Sequence, residues 1–359
     1  MKKEFPCGQC GATLAYEPGT DVIKCKYCGH ENPIEAAPDA PPIEEQDFHA
    51  ALASLAQAAP MEENKTVKCT TCAAEFTWDP AVHAADCPFC GSAIVTDPKN
   101  SRHLQPAALI PFQLSEKEAQ ERLKGWIKGL WFAPNDVKRY AYTQGKLVGM
   151  YVPYWTYDSQ TYSDYAGERG INYTETYSDT DKDGNPVTRT RTRIDWTPVS
   201  GHVDRWFDDV LVIASKSLPK KHADKLDEWN LDALTPYQDQ YIAGYRSEVY
   251  QVELDEGFEE ARGKMDTVIR EDVRYDIGGD HQRIHYVNTQ YEDITFKHVL
   301  LPVWMNAYRY AGKSYQFLVN AQTGEVEGAR PWSWIKIGLA VAAAAVVIGA
   351  IAYFASQGQ

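Results

Sequence analysis

The chain has 359 residues, with 36 Lys and Arg against 50 Asp and Glu, for a formal net charge of −14. That length holds one sizeable domain plus small accessory modules. The acidic balance argues against binding to nucleic acid, where lysine and arginine on phosphates dominate affinity.

From the N-terminus, Cys7, Cys10, Cys25 and Cys28 read C-x2-C-x14-C-x2-C, and Cys69, Cys72, Cys87 and Cys90 repeat that spacing 62 residues later (69 − 7). A constant offset points to a duplicated module. Four soft thiolates on two turn-borne pairs suit a tetrahedral zinc ion, so each quartet reads as a zinc ribbon and the chain as a carrier of two Zn(2+) ions. Gly11, Gly29 and Gly91 follow the second cysteine of three pairs, as a tight knuckle turn requires; Ala73 stands at the fourth. Disulfides would need an oxidising compartment, and the opening MKKEFP carries no apolar signal-peptide core. Cys87-Pro88-Phe89-Cys90-Gly91 alone also fits an iron knuckle, but the short gap and the pairing of ribbons favour zinc. His30 and His83 read as surface residues beside quartets already complete.

The first ribbon is assigned to residues 1–34 and the second to 67–97. The first balances Lys2, Lys3, Lys24 and Lys26 against Glu4, Glu17, Asp21 and Glu31, which leaves no basic footprint. Residues 35–66 form a linker with a short helix, whose stripe of Phe48, Leu52 and Leu55 is expected to pack on a ribbon. A second linker covers 98–106.

Residues 107–331 read as a β-rich α+β domain. It opens on Ser115 and Glu118 as a capping box, with Leu123, Trp126, Ile127 and Leu130 at helical spacing. Segments 146–157, 187–196, 245–252, 283–291 and 315–319 are rich in Val, Ile, Thr, Tyr and Trp and read as strands. A second long helix follows Asp255, with Ala261, Met265, Val268 and Ile269 on its apolar face. Each helix precedes a strand carrying P-x-W, at Pro153-Tyr154-Trp155 and Pro302-Val303-Trp304, a recurrence that a duplicated half would give and that aromatic strands also produce by chance.

From Ile337 to Ala355 the chain runs 19 residues without charge or proline. As a helix this spans roughly 28 Å, the hydrocarbon thickness of a bilayer. Trp332 and Trp334 before it and Tyr353 and Phe354 at its end suit the two interfaces, and Arg330 and Lys336 mark the N-terminal side as cytoplasmic. The expectation is a single-pass tail anchor, with the bulk in the cytoplasm.

Three motifs invite other readings. Ala307 to Ser314 (AYRYAGKS) satisfies a loose phosphate-loop pattern, but its Tyr and Arg residues read as a strand and Gly312-Lys313 as a hairpin turn. Asp179, Asp181, Asp183 and Gly184 begin a calcium-loop pattern, yet the position that needs glutamate is Thr190, so a solvated hairpin tip is expected. Arg189, Arg191 and Arg193 share one strand face and are expected to pair with acidic neighbours. No linear nucleophile triad, zincin motif or spare cysteine supports an enzyme.

With its two ribbons, the YVPYWTYD strand (151–158), FKHVLLPVWMNAYRY (296–310), the VNAQTGEVEG turn (319–328) and the C-terminal span, the chain resembles bacterial membrane-anchored zinc-ribbon proteins of the YdjG type. Relatives of that type are often labelled primosomal protein N′ or superfamily II helicase-like. The resemblance implies a non-enzymatic role at the inner membrane with SPFH-domain and phage-shock-type stress proteins. Motor motifs are missing here, so the helicase label is read as inherited from the ribbons. The expected function is a tail-anchored zinc-ribbon adaptor at the cytoplasmic face of the inner membrane. A replication accessory protein that binds nucleic acid is the alternative, and a membrane-tethered enzyme the weaker one.

Overall fold

The computed structural model describes residues 7–10, 14–25, 27–34, 43–56, 62–68, 74–77, 85–86, 93–94, 99–134, 147–310 and 313–357. Among them the chain is a mixed α/β protein with six α-helices and one nine-stranded sheet that dominates the body. The first module contributes β1 (Leu14–Tyr16), β2 (Val22–Cys25) and β3 (Glu31–Pro33). There follow β4 (Gln46–Asp47), α1 (Phe48–Ala56), β5 (Glu62–Lys68), β6 (Glu75–Thr77), β7 (Ala85–Asp86), β8 (Ala93–Ile94) and β9 (Lys99–His103). The main domain runs through β10 (Ala108–Leu109), α2 (Glu116–Lys128), β11 (Val148–Thr180) and β12 (Pro186–Ile213). After it come the one-turn α3 (Lys220–Ala223), β13 (Thr235–Pro236), the one-turn α4 (Asp239–Ile242), β14 (Arg246–Ser247) and α5 (Leu254–Ile277). It closes with β15 (His281–Tyr310), β16 (Lys313–Asn320) and β17 (Val326–Gly328), and α6 (Trp334–Gln357) is the last described element.

The sheet is organised on β11 and β15, which pair antiparallel from Val148 opposite Met305 to Gly170 opposite His281. Within the body both faces of β11 are buried, because side chains alternate across a strand and each face has its own cover. Met150, Val152 and Tyr154 pack with Val299, Leu301, Val303 and Leu318 on one side. Trp155 and Tyr157 face α5 on the other. Ser115 caps α2 as expected, with its hydroxyl accepting from the Glu118 N–H while Glu118 reaches back to the Ser115 N–H. Helix α5 buries Phe258, Ala261, Met265, Ile269, Val273 and Ile277, a stripe that keeps one face on the sheet for its whole length. Val268, assigned to that face from spacing, is exposed. Gly257 is where α5 comes closest: a Cβ there would collide with the Tyr157 hydroxyl and stand 2.8 Å from Trp155 Cδ1.

The two P-x-W strands lie side by side and use their tryptophans reciprocally. Trp155 Nε1 donates to the Val252 carbonyl at 2.9 Å, two residues before α5 begins. Trp304 Nε1 donates to the Leu114 carbonyl at 2.9 Å, two residues before α2 begins. Each strand thus holds the helix that precedes the other strand.

The strands run far past the expected limits. At ~3.3 Å per residue the 33 residues of β11 extend over roughly 110 Å. Beyond Gly170, where β15 stops pairing, β11 and β12 continue alone as a two-stranded ribbon to Thr180 opposite Pro186. Its tip closes on Asp181, whose carboxylate accepts from the Asp183 and Asn185 N–H groups, a turn rather than a calcium loop. Along the ribbon Arg191 and Arg193 both reach Glu175, at 2.6 and 2.5 Å, and Arg189 reaches Asp179 at 2.9 Å, the pairing expected of that face. On either side of the AYRYAGKS segment β15 and β16 pair antiparallel, with Tyr310 opposite Lys313, while Gly312 lies outside the described residues.

Three expectations need correction. Among the described residues helix α1 packs on the main sheet rather than on a ribbon: Phe48 lies against Tyr157 and Phe258, because its apolar stripe finds a larger hydrophobic surface there. Most of the 98–106 linker is strand β9, which pairs with β5 from Glu62 opposite His103 to Thr66 opposite Lys99. Of 245–252 only Arg246 and Ser247 are strand, because β12 already occupies the neighbouring edge of β11 from Tyr154 onward.

Candidate metal centre and apolar helix

The first module is too small to bury a core of its own, and its side chains instead complete one shared with the main domain. Leu14, Tyr16 and Ile23 alternate inward from β1 and β2 and join Leu109, Phe112, Tyr151 and Trp304. The Tyr16 N–H donates to the Ala243 carbonyl at 2.9 Å and the Gly19 N–H to the Phe112 carbonyl at 2.8 Å, so the module is hydrogen-bonded as well as packed onto the body.

This seat holds Cys7, Cys10, Cys25 and Cys28 with their sulfur atoms all within 4.8 Å of one another. Cys7 Sγ stands 3.6 Å from Cys28 Sγ, and Cys10 Sγ 3.5 Å from Cys25 Sγ. A tetrahedron of thiolates about 2.3 Å from a metal has edges of about 3.8 Å, so the donor set fits one ion. Cys7 and Cys25 are buried, Cys10 and Cys28 exposed, which places one member of each C-x2-C pair on the core side. The knuckle turn supplies the local chemistry. Backbone N–H groups of Cys28 and Tyr27 point at the Cys25 sulfur and draw its thiol down to about 6. Gly29 takes φ +73° after the second pair, a conformation that side chains disfavour, and donates to the Cys25 carbonyl at 2.9 Å.

The second quartet, Cys69, Cys72, Cys87 and Cys90, lies outside the described residues, as do Gly11, Ala73, Gly91 and His83. Ala74, which lies between the two pairs of that quartet, is fully buried against the opposite sheet face, in the cluster of Ile110, Val152 and Leu301. Chain from each cysteine module therefore packs into the main domain, one on each side of the sheet.

Helix α6 is long and apolar enough to cross a membrane, and no residue of its stretch Trp334–Ile351 is buried. This matches the expected span at 337–355 in place and length.

Two buried carboxylates, Asp158 and Glu248, escaped the sequence reading. Asp158 sits between bulges on both neighbouring strands, where Asp209 and Asp293 take φ of 49°. It accepts from the Asp209 N–H at 2.6 Å, and Thr295 Oγ1 lies within hydrogen-bond distance of both Asp158 and Glu45. Burial first, then the shared hydrogen bond with Glu45, raises the Asp158 carboxyl to about 7. Glu45, Asp158 and Asp208 are close enough to hold a cation, but Lys297 brings a positive charge to this corner, 3.0 Å from Glu45 and 2.8 Å from Asp209. The signal in sequence was faint: a lone acidic residue after YVPYWTY and a lysine within an apolar strand.

The other group is Glu248, 3% exposed, with Gln251 Nε2 donating to its Oε1 at 3.1 Å and Ser217 Oγ on the same oxygen; its Oε2 has no hydrogen-bond partner. Burial raises its carboxyl to about 8. A folded value above the unfolded one means that its contribution to stability is complete below about 4.5 and is lost as pH rises through about 8. Glu248→Gln should therefore raise the melting temperature at pH 8 to 9 and leave it nearly unchanged at pH 5. Several kcal/mol are at stake, at about 1.4 kcal/mol per unit. Thermal scans across that range check this; equal slopes for variant and parent would refute it.

The chain is similar to the uncharacterized protein YdjG of Bacillus subtilis (strain 168), 26% identical over 336 residues, which cover 93% of this chain and 91% of the relative. No family model matches the chain. No solved structure matches it.

Proposed function

We propose that this protein is a single-pass membrane adaptor, carrying a zinc ion in each cysteine quartet and presenting its long sheet to protein partners on the cytoplasmic side of the inner membrane. The observation that carries the reading is the contrast between α6 and the rest: an apolar helix with no buried residue in Trp334–Ile351, attached to a body whose core takes in one cysteine of each C-x2-C pair. Zinc is preferred because four thiolates at these spacings match its tetrahedral, redox-inert coordination. Structural zinc keeps no open position for a substrate, which speaks for scaffolding over catalysis. The two-stranded ribbon beyond Gly170, with Ile171, Tyr173 and Ile194 exposed, offers a surface for recruitment. By resemblance, SPFH-domain or phage-shock-type proteins are the expected class of partner. The Arg189, Arg191 and Arg193 face is already engaged by acids, so it adds little pull toward phosphate.

Deleting residues 337–355 tests the reading. The shortened chain should move from the membrane pellet to the soluble fraction with its metal and cooperative unfolding intact, and should no longer retain the membrane proteins that cross-link to the full chain in cells. A shortened chain that aggregates would show α6 to be a core helix. Recovery of DNA that is released steeply by salt would replace the adaptor with a nucleic-acid-binding protein.

A further inference from the structure

Helix α6 does not leave the body on a free tether. The Ser333 N–H, one residue before the helix, donates to the Phe132 carbonyl at 2.7 Å, and Lys336 Nζ in its first turn donates to the Ala133 carbonyl at 2.7 Å. The Phe132 ring stands 6.5 Å from the Trp332 ring, and the Arg330 guanidinium covers Trp332 at 4.6 Å. The loop that makes these contacts, residues 129–134, follows α2 and is itself held firmly. Its N–H groups turn back on α2, Leu130 onto the Ile127 carbonyl at 3.1 Å and Gly129 onto that of Trp126 at 3.0 Å. Leu130 and Ala133 are buried, and the two residues between them are turned outward. Trp131 is 82% exposed and Phe132 is partly so, a costly placement for a soluble surface. Trp334, at the foot of the apolar helix, is 81% exposed.

Four large aromatic side chains, two from a sequence-remote loop and two from the approach to α6, are thus gathered at one end of an apolar helix, with Arg330 and Lys336 among them. Tryptophan and basic side chains favour the membrane–water interface, where a ring can enter the acyl boundary while its polar edge stays hydrated. Continuity with the apolar surface of α6 identifies the occupant as the phospholipid interface rather than a protein. We propose that Trp131 and Phe132 form a second membrane contact, a foot that enters the same leaflet as Trp332 and Trp334. The foot fixes how the body stands on the bilayer. A helix alone allows the body to tilt and rotate about one point; a helix plus a foot tied to α2 removes that freedom. The proposal rests on reading α6 as the membrane span.

The test uses the full-length chain in phosphatidylethanolamine and phosphatidylglycerol vesicles, with photoreactive benzoylphenylalanine in place of Trp131, of Trp334, or of Tyr275, which is 91% exposed on α5. All three positions are on the surface, so the fold should tolerate each replacement. On illumination, positions 131 and 334 should gain the mass of a lipid and position 275 should not. Lipid adducts at 334 without any at 131 would remove the foot and leave the span standing. Adducts at 131 to a second protein chain, in place of lipid, would overturn the foot in favour of a protein contact. No lipid adduct at either 131 or 334 would remove the span and, with it, the foot.

Discussion

Cys25→Ser should release one metal ion per chain and unfold the first module, lowering the stability of the entire body with it. Metal analysis of the parent is expected to find about two zinc ions per chain and of the variant about one. The reason lies in where the quartet sits. Metal-binding energy is folding energy for a module this small, on the order of 10–16 kcal/mol for structural zinc in isolated fingers. Here, however, Leu14, Tyr16 and Ile23 also cover Phe112, Tyr151 and Trp304. When the knuckles open, that apolar surface meets water at about 25 cal/mol per Å². Thermal unfolding should therefore show a lower midpoint for the whole chain, not a separate transition for a detached ribbon. A variant that keeps its metal content and midpoint would show that the cluster binds no ion through Cys25.

Trp155→Ala should cost roughly 3–5 kcal/mol, the range for emptying a large aromatic site in a packed core. Trp155 is fully buried among Tyr250, Phe296 and His298. Its loss also strips the Val252 carbonyl of its donor, adding a penalty of about 1–3 kcal/mol for a buried acceptor left unpaired. Trp155→Phe separates the two effects, since it keeps most of the volume and loses only the hydrogen bond. Urea unfolding should place the midpoints in the order parent, Trp155→Phe, Trp155→Ala. Equal midpoints for parent and Trp155→Ala would contradict the burial.

Much of the candidate site was legible because its chemistry is written locally. Cysteine spacing, the capping box at Ser115 and Glu118, and the apolar run at 337–355 each depend on residues a few positions apart, which periodicity and motif can register. The hairpin at Tyr310 and Lys313 was visible for the same reason.

What escaped depended on partners far along the chain. Residues 158–170 read DSQTYSDYAGERG, with no apolar alternation and two glycines, yet they are continuous strand. Long pairing with both β12 and β15 supplies their backbone hydrogen bonds, so side-chain hydrophobicity is not needed on both faces. Val268 fell on the wrong side because Val and Ile look alike to a helical stripe, while only Ile269 meets the sheet. Nothing local marks Trp131 and Phe132: their place follows from residue 333, distant in sequence, which the fold sets beside them. Glu248 carried no mark at all: its burial follows from the way β14 continues the edge of β11 where β12 ends.

The crossed tryptophans have a consequence for the order in which the protein can be made. The bond from Trp155 to Val252 spans 97 positions and that from Trp304 to Leu114 spans 190. A ribosome that has completed the first half has produced strand β11 with neither its neighbour β15 nor the helix that its tryptophan must hold. Nothing in that half can settle as a finished unit, and loop closure over such distances is slow. Nascent chain must wait with Tyr151, Trp155 and Tyr157 uncovered until residues up to 310 have emerged. Helix α6 follows β15 closely along the chain, so on the proposed reading of α6 as a membrane span, acquisition of the sheet and delivery to the bilayer fall within the same short interval, and a delay in either leaves aromatic strand edges open to aggregation.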